Sequence, residues 1–222
     1  MDAGSGGFSN FAPALLIIVI AGGAVILGLV YSHRERRRIM EFASANNLHF
    51  TAKDRELGRY VRSNAGISGS SHMALNVVES NMVGDGFRYG NLRWTTGSGD
   101  DKTTHYQEFF LFPVPANFPN TRIQPEGLFG RAMNDINTEW MEFNKEWDVR
   151  SDNHHFASAL LNPRMQEFFM SMKGYAFFIR PGHLLVMGGK YRCERCFYFR
   201  DAAVQWRSLV VPFLWQDYGT GR

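Results

Sequence analysis

Cysteine is scarce in this chain: it occurs twice in 222 residues, at Cys193 and Cys196. Small secreted folds that depend on disulfides need more, so the composition excludes a disulfide-rich secreted framework and fits a reducing compartment. A strong charge of either sign is also absent, because 24 basic residues face 21 acidic ones. Nucleic-acid readers carry a larger basic surplus, so we expect no nucleic-acid partner.

The motifs of common enzyme classes are missing as well. The sequence has no GxSxG elbow of the kind that holds an esterase nucleophile. The short glycine runs at 97–99 (GSG) and 188–190 (GGK) lack the spacing of a phosphate-binding loop. These absences favour a protein that is not an enzyme and carries no cofactor.

Charged residues are absent from positions 14–31, ALLIIVIAGGAVILGLVY. At about 1.5 Å per residue, a helix of this length covers roughly 27 Å, close to the ~30 Å of a bilayer hydrocarbon core. We therefore predict a transmembrane helix over 11–32. A cleaved signal peptide carries its positive charges before the apolar run, whereas residues 1–10 contain only Asp2 as a charged side chain.

Arginines follow this run directly, at Arg34, Arg36, Arg37 and Arg38. By the positive-inside rule they hold this end of the helix in the cytoplasm. The prediction is a single-pass protein of the plasma membrane with its N-terminus outside and its main domain in the cytoplasm. Juxtamembrane arginines also attract anionic lipid headgroups, so membrane lipids are expected partners and a lipid or envelope sensor is one alternative.

Small residues form a second pattern inside the predicted span, at Ala21, Gly22, Ala24 and Gly28. Ala24 and Gly28 stand four positions apart, the spacing that lets another helix backbone approach closely. The pattern favours other transmembrane subunits as partners. Glycine is also common in membrane helices for no such reason, and this alternative stays open.

The remaining chain predicts one cytoplasmic domain. Residues 33–50 read as a basic, amphipathic juxtamembrane helix that ends at Asn46 and Asn47, after a short extracytoplasmic tail over 1–10. Residues 51–211 form the domain, and 212–222 form a C-terminal tail. Without the four arginines, Asp2 and Glu35, the chain has 20 basic and 19 acidic residues, so the domain is nearly neutral.

The pattern of the domain predicts an α+β fold with an antiparallel sheet and with helices gathered in its C-terminal half. Residues 51–71 are rich in charge, glycine and serine, with Leu57, Tyr60 and Val61 as their few apolar anchors, and 64–71 read as a flexible loop. Alternating apolar residues predict strands over 73–80, 87–95, 105–114, 122–125, 138–140, 146–150, 175–179 and 183–187.

Helix signals are clearest after the first six predicted strands. Asp152 is expected to cap one short helix, and Asn162 with Pro163 starts another. The second helix presents an apolar face, and a third is predicted over 193–211, before Pro212. The predicted buried residues of these two helices are Met165, Phe168, Phe169 and Met172, and Cys196, Phe199, Ala203, Trp206 and Val210.

Two runs, PEGLFGR at 125–131 and FNKEWDVRSDNHHFASALLNPRM at 143–165, resemble a family of single-span membrane proteins, mostly actinobacterial, that have one cytoplasmic domain of unknown function. A phrase like NNLHF, here 46–50, also occurs in that family after the basic segment. The resemblance implies a membrane-tethered cytoplasmic module and supplies no catalytic residues. The segment 193–222 departs from it, and could be specific to a partner of this protein.

Two groups of residues could carry chemistry. Cys193 and Cys196 form a CxxC at the start of a predicted helix, where a lowered thiol pKa would make a redox pair. Zinc binding would need a second pair of ligands, and no second CxxC or HxxxH occurs. The histidines are the other group, together with nearby acids: His72, His105, His154, His155 and His183, with Glu139, Glu142 and Asp152.

The sequence favours a membrane-anchored, non-catalytic interaction module, an accessory or assembly subunit of a larger membrane complex. A respiratory supercomplex is one concrete candidate. Trp215 and Tyr218, in the aromatic end PFLWQDYGTGR, are expected to dock a partner, since terminal aromatic residues need packing. The alternative is a membrane-tethered redox or metal-dependent enzyme that uses the two cysteines or the histidines.

Overall fold

The structure is a computed structural model that describes residues 11–82, 84, 86–126, 136 and 138–220. Within its first helix, the side chains of 11–22, 24–26, 29 and 31 lie outside this description. The chain divides into two units, Met1–Glu41 and Phe42–Arg222. The second unit contains every strand that the structure describes.

Helix α1 spans Phe11–Ala45, so the two helices predicted within 11–32 and 33–50 are one continuous helix. His49 and Phe50, at the end of the second segment, belong to the first strand. The helix ends at the asparagines, as predicted: Asn47 adopts a φ of 55°, the left-handed conformation that asparagine tolerates. Among the residues that the structure describes, no helix is both long and apolar enough to cross a membrane. Most side chains of the predicted span, and the predicted tail over 1–10, lie outside the described residues.

The predicted antiparallel sheet is confirmed, and it has eight strands in the order β1-β2-β3-β4-β8-β7-β5-β6. The first four strands form a meander, whereas β4 pairs with β8 across a long insertion. The strands are β1 (His49–Asp54), β2 (Ser70–Ser80), β3 (Phe87–Thr96), β4 (Thr103–Pro113), β5 (Thr121–Pro125), β6 (Trp147–Ser151), β7 (Tyr175–Arg180) and β8 (His183–Gly188).

Six further α-helices are described in the second unit, and five of these follow β5, in agreement with the predicted α+β architecture. They are α2 (Arg55–Ala65), α3 (Met141–Glu146), α4 (His154–Leu160), α5 (Pro163–Ser171), α6 (Arg195–Leu209) and α7 (Pro212–Tyr218).

Strand β1 and helix α2 occupy residues 51–65, where the sequence predicts no element. The loop predicted over 64–71 is confirmed for 66–69, which connect α2 to β2, while its ends belong to these two elements. The Asp54 side chain caps α2 by accepting from the Leu57 amide at 2.8 Å. Gly66 ends the helix in the left-handed conformation, with a φ of 66°. Leu57 and Val61 provide the buried stripe, but the polar residues around them obscure it in the sequence.

One face of the sheet is covered by α2, and we call it the α2 face. Leu57, Val61 and Ala65 of the helix pack there against strand residues that are mostly aliphatic. Gly58 brings the helix backbone onto β2, because a Cβ at this position would lie 2.6 Å from the Ala74 amide nitrogen. The strand residues of this cluster are Ala74, Val77, Leu92, Phe109, Ala176, Phe178, Leu185 and Met187.

The opposite face carries a core of rings, and we call it the aromatic face. Side chains alternate along a strand, so Phe110 of β4 points away from Phe109 and stacks on Phe199 of α6. Phe169 of α5 packs edge-on against Phe177 of β7, with ring centroids 4.9 Å apart. The predicted apolar faces of α5 and α6 are thereby confirmed, since all nine of their predicted residues are buried.

Three predictions in the C-terminal half need correction. Asn153, rather than Asp152, caps α4: its side chain accepts from the Phe156 amide at 3.0 Å, while Asp152 accepts from Asn120. Residues 138–140 form no strand and instead precede α3. The predicted tail over 212–222 contains α7, which starts at Pro212 because proline suits the first helical position.

Candidate functional site

A groove of about 490 Å³ opens on the α2 face, beside the turn between β2 and β3. Tyr60 of α2 forms one wall, and the ends of β2, β3, β4 and β8 contribute the rest. This volume lies within the range of roughly 300–1,000 Å³ that is usual for small-molecule sites. The groove is therefore the candidate binding site of the domain.

Tyr60 and His183 meet at one end of the groove. The Tyr60 hydroxyl and His183 Nδ1 share a hydrogen bond of 3.0 Å, and the two rings lie 5.3 Å apart. Burial lowers the pKa of His183, and nearby Arg180 lowers it further, although a hydrogen bond to the Pro181 backbone carbonyl acts the other way. Burial raises the pKa of Tyr60 against the opposing charge of Arg88. Both side chains are therefore held in their neutral forms near pH 7.

Arg88 and Glu79 provide the charged pair of the groove. They lie opposite each other on β3 and β2, and Arg88 Nε donates to Glu79 Oε1 at 3.1 Å. Ser80 and Asn81 follow Glu79 along the rim. The apolar part of the lining comes from Phe87, Leu111, Pro113 and Pro181. Polar and apolar groups thus share one concave surface, as a ligand site requires.

A larger hollow of about 790 Å³ lies beside α5. Its buried polar groups satisfy each other: Thr138 Oγ1 donates to Gln166 Oε1, and Gln166 Nε2 donates to the Leu161 carbonyl at 2.6 Å. Ile136 and Thr138 of its lining flank residue 137, which lies outside the described residues. Glu139, Ser158, Asn162 and Glu167 complete its polar lining. The groove also borders undescribed residues, at 83 and 85, and it differs from the hollow in the Tyr60–His183 contact and the Arg88–Glu79 pair.

Glu108 is the most deeply buried acid that the structure describes, at 1% exposure. It accepts a hydrogen bond of 2.5 Å from the Tyr89 hydroxyl and pairs with Arg195 at 3.0 Å. Arg195 also donates to the Tyr175 hydroxyl. Burial raises the pKa of Glu108, while Tyr89 and Arg195 act against this shift. The cluster ties the start of α6 to the sheet.

Cys193 and Cys196 are both buried and form no disulfide among the described residues. Burial, assisted by the neighbouring Cys193, raises the pKa of the Cys196 thiol to about 12. Reactive cysteines sit in exposed, electropositive surroundings that lower the thiol pKa. Cys196 has the opposite environment, because it is buried and its thiol pKa is raised. Its sulfur therefore contributes to packing, and the redox role stays a prediction without structural support.

The histidines do not gather around a common centre. His154 and His155 are exposed at the start of α4. His105 stacks on Trp94 and bonds Thr96, and His72 is buried. Within the described part of the chain, no group of three or more histidine, cysteine or acidic side chains is placed to hold a metal ion.

The predicted membrane-helix residues are only partly described. Arg37 pairs with Glu41 at 3.0 Å, and Arg34 and Arg38 are exposed while Arg36 is partly so. The side chains of Ala21 and Ala24, like residue Gly22, lie outside the described residues. Gly28 is exposed, and a Cβ added there would meet nothing within 4 Å.

Trp215 and Tyr218 pack against their own domain. The Trp215 ring lies 5.0 Å from Phe118, and Tyr218 lies edge-on to Phe156 at 5.4 Å. The Asn117 amide donates to the Tyr218 carbonyl, which fixes the end of α7. These rings dock within the chain, so partner docking through them has no support in the structure.

The sequence does not predict the groove. Its residues come from five separate elements, and the sequence points only to His183 among them, as one of the histidines that could ligate a metal. The spacing of Leu57, Tyr60 and Val61 is the one signal that predicts a helix with Tyr60 beside its buried stripe.

Comparison with known proteins gives one structural likeness. The chain matches the crystal structure of the mycobacterial trehalose monomycolate transport factor A, TtfA, with a TM-score of 0.54 and 14% sequence identity. The match covers 80% of this chain and 97% of TtfA. No family model and no curated protein matches the sequence. At this identity the likeness establishes a shared fold.

Proposed function

We propose that this protein is a membrane-anchored accessory factor that acts by binding rather than by catalysis and serves the transport of envelope lipids. The observation that carries the proposal is the extent of the shared fold. The match covers 97% of a chain described as a transport factor for trehalose monomycolate, so it concerns a whole domain rather than a common fragment.

The arrangement of side chains supports binding over catalysis. The thiols are buried, and no metal-binding group occurs within the described residues. The groove offers a tyrosine, a histidine and one ion pair. The Tyr60 hydroxyl is hydrogen-bonded to His183, but burial raises the pKa of this tyrosine, which makes its hydroxyl a poor nucleophile. The shape and mixed lining of the groove suit recognition.

The anchor of this proposal is the apolar run 14–31, followed by Arg34, Arg36, Arg37 and Arg38. The run has the length of a bilayer core, and the arginines favour an orientation with the domain in the cytoplasm. Gly28 belongs to a small-residue face on which another membrane helix could pack closely. The proposed partner is thus a membrane subunit of the transport assembly.

Affinity purification of the full-length protein from its native membrane in mild detergent, followed by mass spectrometry, tests the proposal. We expect stoichiometric recovery of membrane subunits of a lipid transporter. Recovery of the protein alone, or of respiratory subunits instead, would contradict it.

Two matched variants test the role of the helix. Gly28→Leu adds a side chain to the small-residue face, and Gly23→Leu adds the same side chain about 100° or more around the helix from Ala24 and Gly28. Neither added Cβ meets an atom of the chain within 4 Å, so both variants keep the helix intact. We expect Gly28→Leu to reduce co-purification and Gly23→Leu to leave it unchanged.

A further inference from the structure

We infer that the groove beside Tyr60 binds a neutral, polyhydroxylated ligand, such as a saccharide or a saccharide headgroup. The inference deepens the proposed function and depends on that proposal in one respect, that the domain acts by binding. Three features of the groove carry it: the charge balance, the hydrogen-bonding groups and the apolar surfaces.

Among the described residues that line the groove, the charges cancel. Arg88 and Glu79 are the charged side chains that line it within the described residues, and they pair with each other at 3.1 Å. Tyr60 and His183 add no charge near neutral pH, because burial holds each in its neutral form. An anionic ligand would meet an arginine that is already paired, and a cation would meet a carboxylate that is already paired. A ligand without net charge fits this lining.

The hydrogen-bonding groups are mixed. Arg88 supplies donors and Glu79 supplies acceptors, while the amide of Asn81 and the hydroxyl of Tyr60 can do both. Each hydroxyl of a ligand likewise donates one hydrogen bond and accepts others, so a polyol can pair with both the donors and the acceptors of the groove. A plain acyl chain would displace water from these groups without offering a hydrogen bond in return.

Apolar surfaces complete the recognition of a sugar. The Tyr60 ring is 45% exposed, and Leu111, Pro113 and Pro181 line the groove with it. The C–H faces of a pyranose ring pack on such surfaces while its hydroxyls reach the polar wall. The volume of about 490 Å³ falls within the usual range for small ligands.

Binding of maltose and sucrose to the full-length protein tests the inference. Saturation-transfer NMR and calorimetry would be carried out in nanodiscs or in an amine-oxide detergent, because maltoside and glucoside detergents would compete for the site. We expect saturable binding of at least one of the two sugars. Inorganic phosphate and decanoate serve as charged and acyl-chain probes, and we expect neither to displace the sugar.

Variants locate the site. Tyr60→Phe removes one hydroxyl and keeps the ring, and Glu79→Gln removes the charge and keeps one acceptor. We expect each to weaken sugar binding by roughly threefold to tenfold, the effect of about one hydrogen bond. The control is Tyr106→Phe on β4, which is 58% exposed and does not line the groove. Melting temperatures of all three variants would show that the fold is retained.

No binding of either sugar, displacement by phosphate or decanoate, or equal binding by all variants would overturn the inference. The proposed function is judged separately by co-purification. Recovery of transporter subunits by a protein that binds no sugar would refute the groove assignment alone. Sugar binding by a protein that purifies without partners would refute the accessory role and leave the groove assignment standing.

Discussion

The two faces of the sheet are covered in different ways. One 11-residue helix covers the α2 face, where the core is mostly aliphatic and Gly58 lets the helix backbone approach the strand. Five helices follow β5 in the chain, and α5 and α6 bury a network of rings on the aromatic face. Among the described residues, the α2 face is thus the more thinly covered one. The groove lies there, whereas the larger hollow lies beside α5.

The largest expected effect belongs to the aromatic face. Trp206 is fully buried, and replacing it with alanine leaves a cavity that the surrounding rings cannot fill. We expect Trp206→Ala to lower the free energy of unfolding by about 3–5 kcal/mol, measured by denaturant titration. Phe213→Ala, at a site 49% exposed, is the control and should change it by less than about 0.5 kcal/mol. Equal effects would show that the two sites do not differ in packing.

The next effect tests the close contact on the α2 face. Gly58→Ala places a Cβ within 2.8 Å of three backbone atoms of Met73 and Ala74, so α2 must move away from β2. We expect a loss of about 1–3 kcal/mol in the free energy of unfolding. Arg59→Ala, on the exposed side of the same helix, should be nearly neutral. A neutral Gly58→Ala would mean that α2 does not lie against the strand as described.

A smaller effect separates two neighbouring residues on the aromatic side. Asn153 caps α4 and Asp152 does not, so Asn153→Ala should cost about 1 kcal/mol in the free energy of unfolding. Asp152→Ala removes a hydrogen bond from Asn120 at an exposed site and should cost less. If the same denaturant titrations gave a larger loss for Asp152→Ala than for Asn153→Ala, Asp152 would be the cap of α4, as the sequence predicts.

The smallest effect is a pH dependence that arises on the α2 face. Burial lowers the pKa of His183, so the unfolded chain takes up a proton at a higher pH than the folded chain does. Stability should therefore fall as the pH drops below about 6.5. We expect the melting temperature of His183→Gln to fall less between pH 7 and pH 5 than that of the unchanged protein. Expressed as a free energy of unfolding, this difference should be smaller than the effect of Asn153→Ala. His155→Gln, at an exposed position, should leave the fall unchanged.

The sequence predicts the aromatic face better than the α2 face, and the reason is physical. Met165, Phe168, Phe169 and Met172 repeat with the period of a helix, and Asn162 with Pro163 marks its start, so local pattern and local structure agree. Helix α2 carries its apolar stripe on few residues among many charged ones, because one side of it meets water. Its caps, Asp54 and Gly66, are visible in the sequence but read equally well as parts of a loop.

Tertiary packing accounts for what local patterns could not predict. The aromatic end of the chain reads as exposed until Phe118 and Phe156, from distant segments, provide surfaces for Trp215 and Tyr218. A CxxC at a helix start reads as reactive until the burial of both thiols is known. The groove depends on Tyr60 meeting His183, 123 positions away, and no spacing rule anticipates that contact.

The pairing of β4 with β8 has a consequence for biosynthesis. Strand β4 contains the run FFLF, and its second edge is closed only by His183–Gly188, about 70 residues later in the chain. At roughly 5–20 residues per second, a ribosome needs about 4–14 s to make that stretch. For this time the nascent meander β1–β4 presents an apolar open edge, so general chaperones that recognise such edges should bind ribosome-attached chains and leave once β8 has emerged.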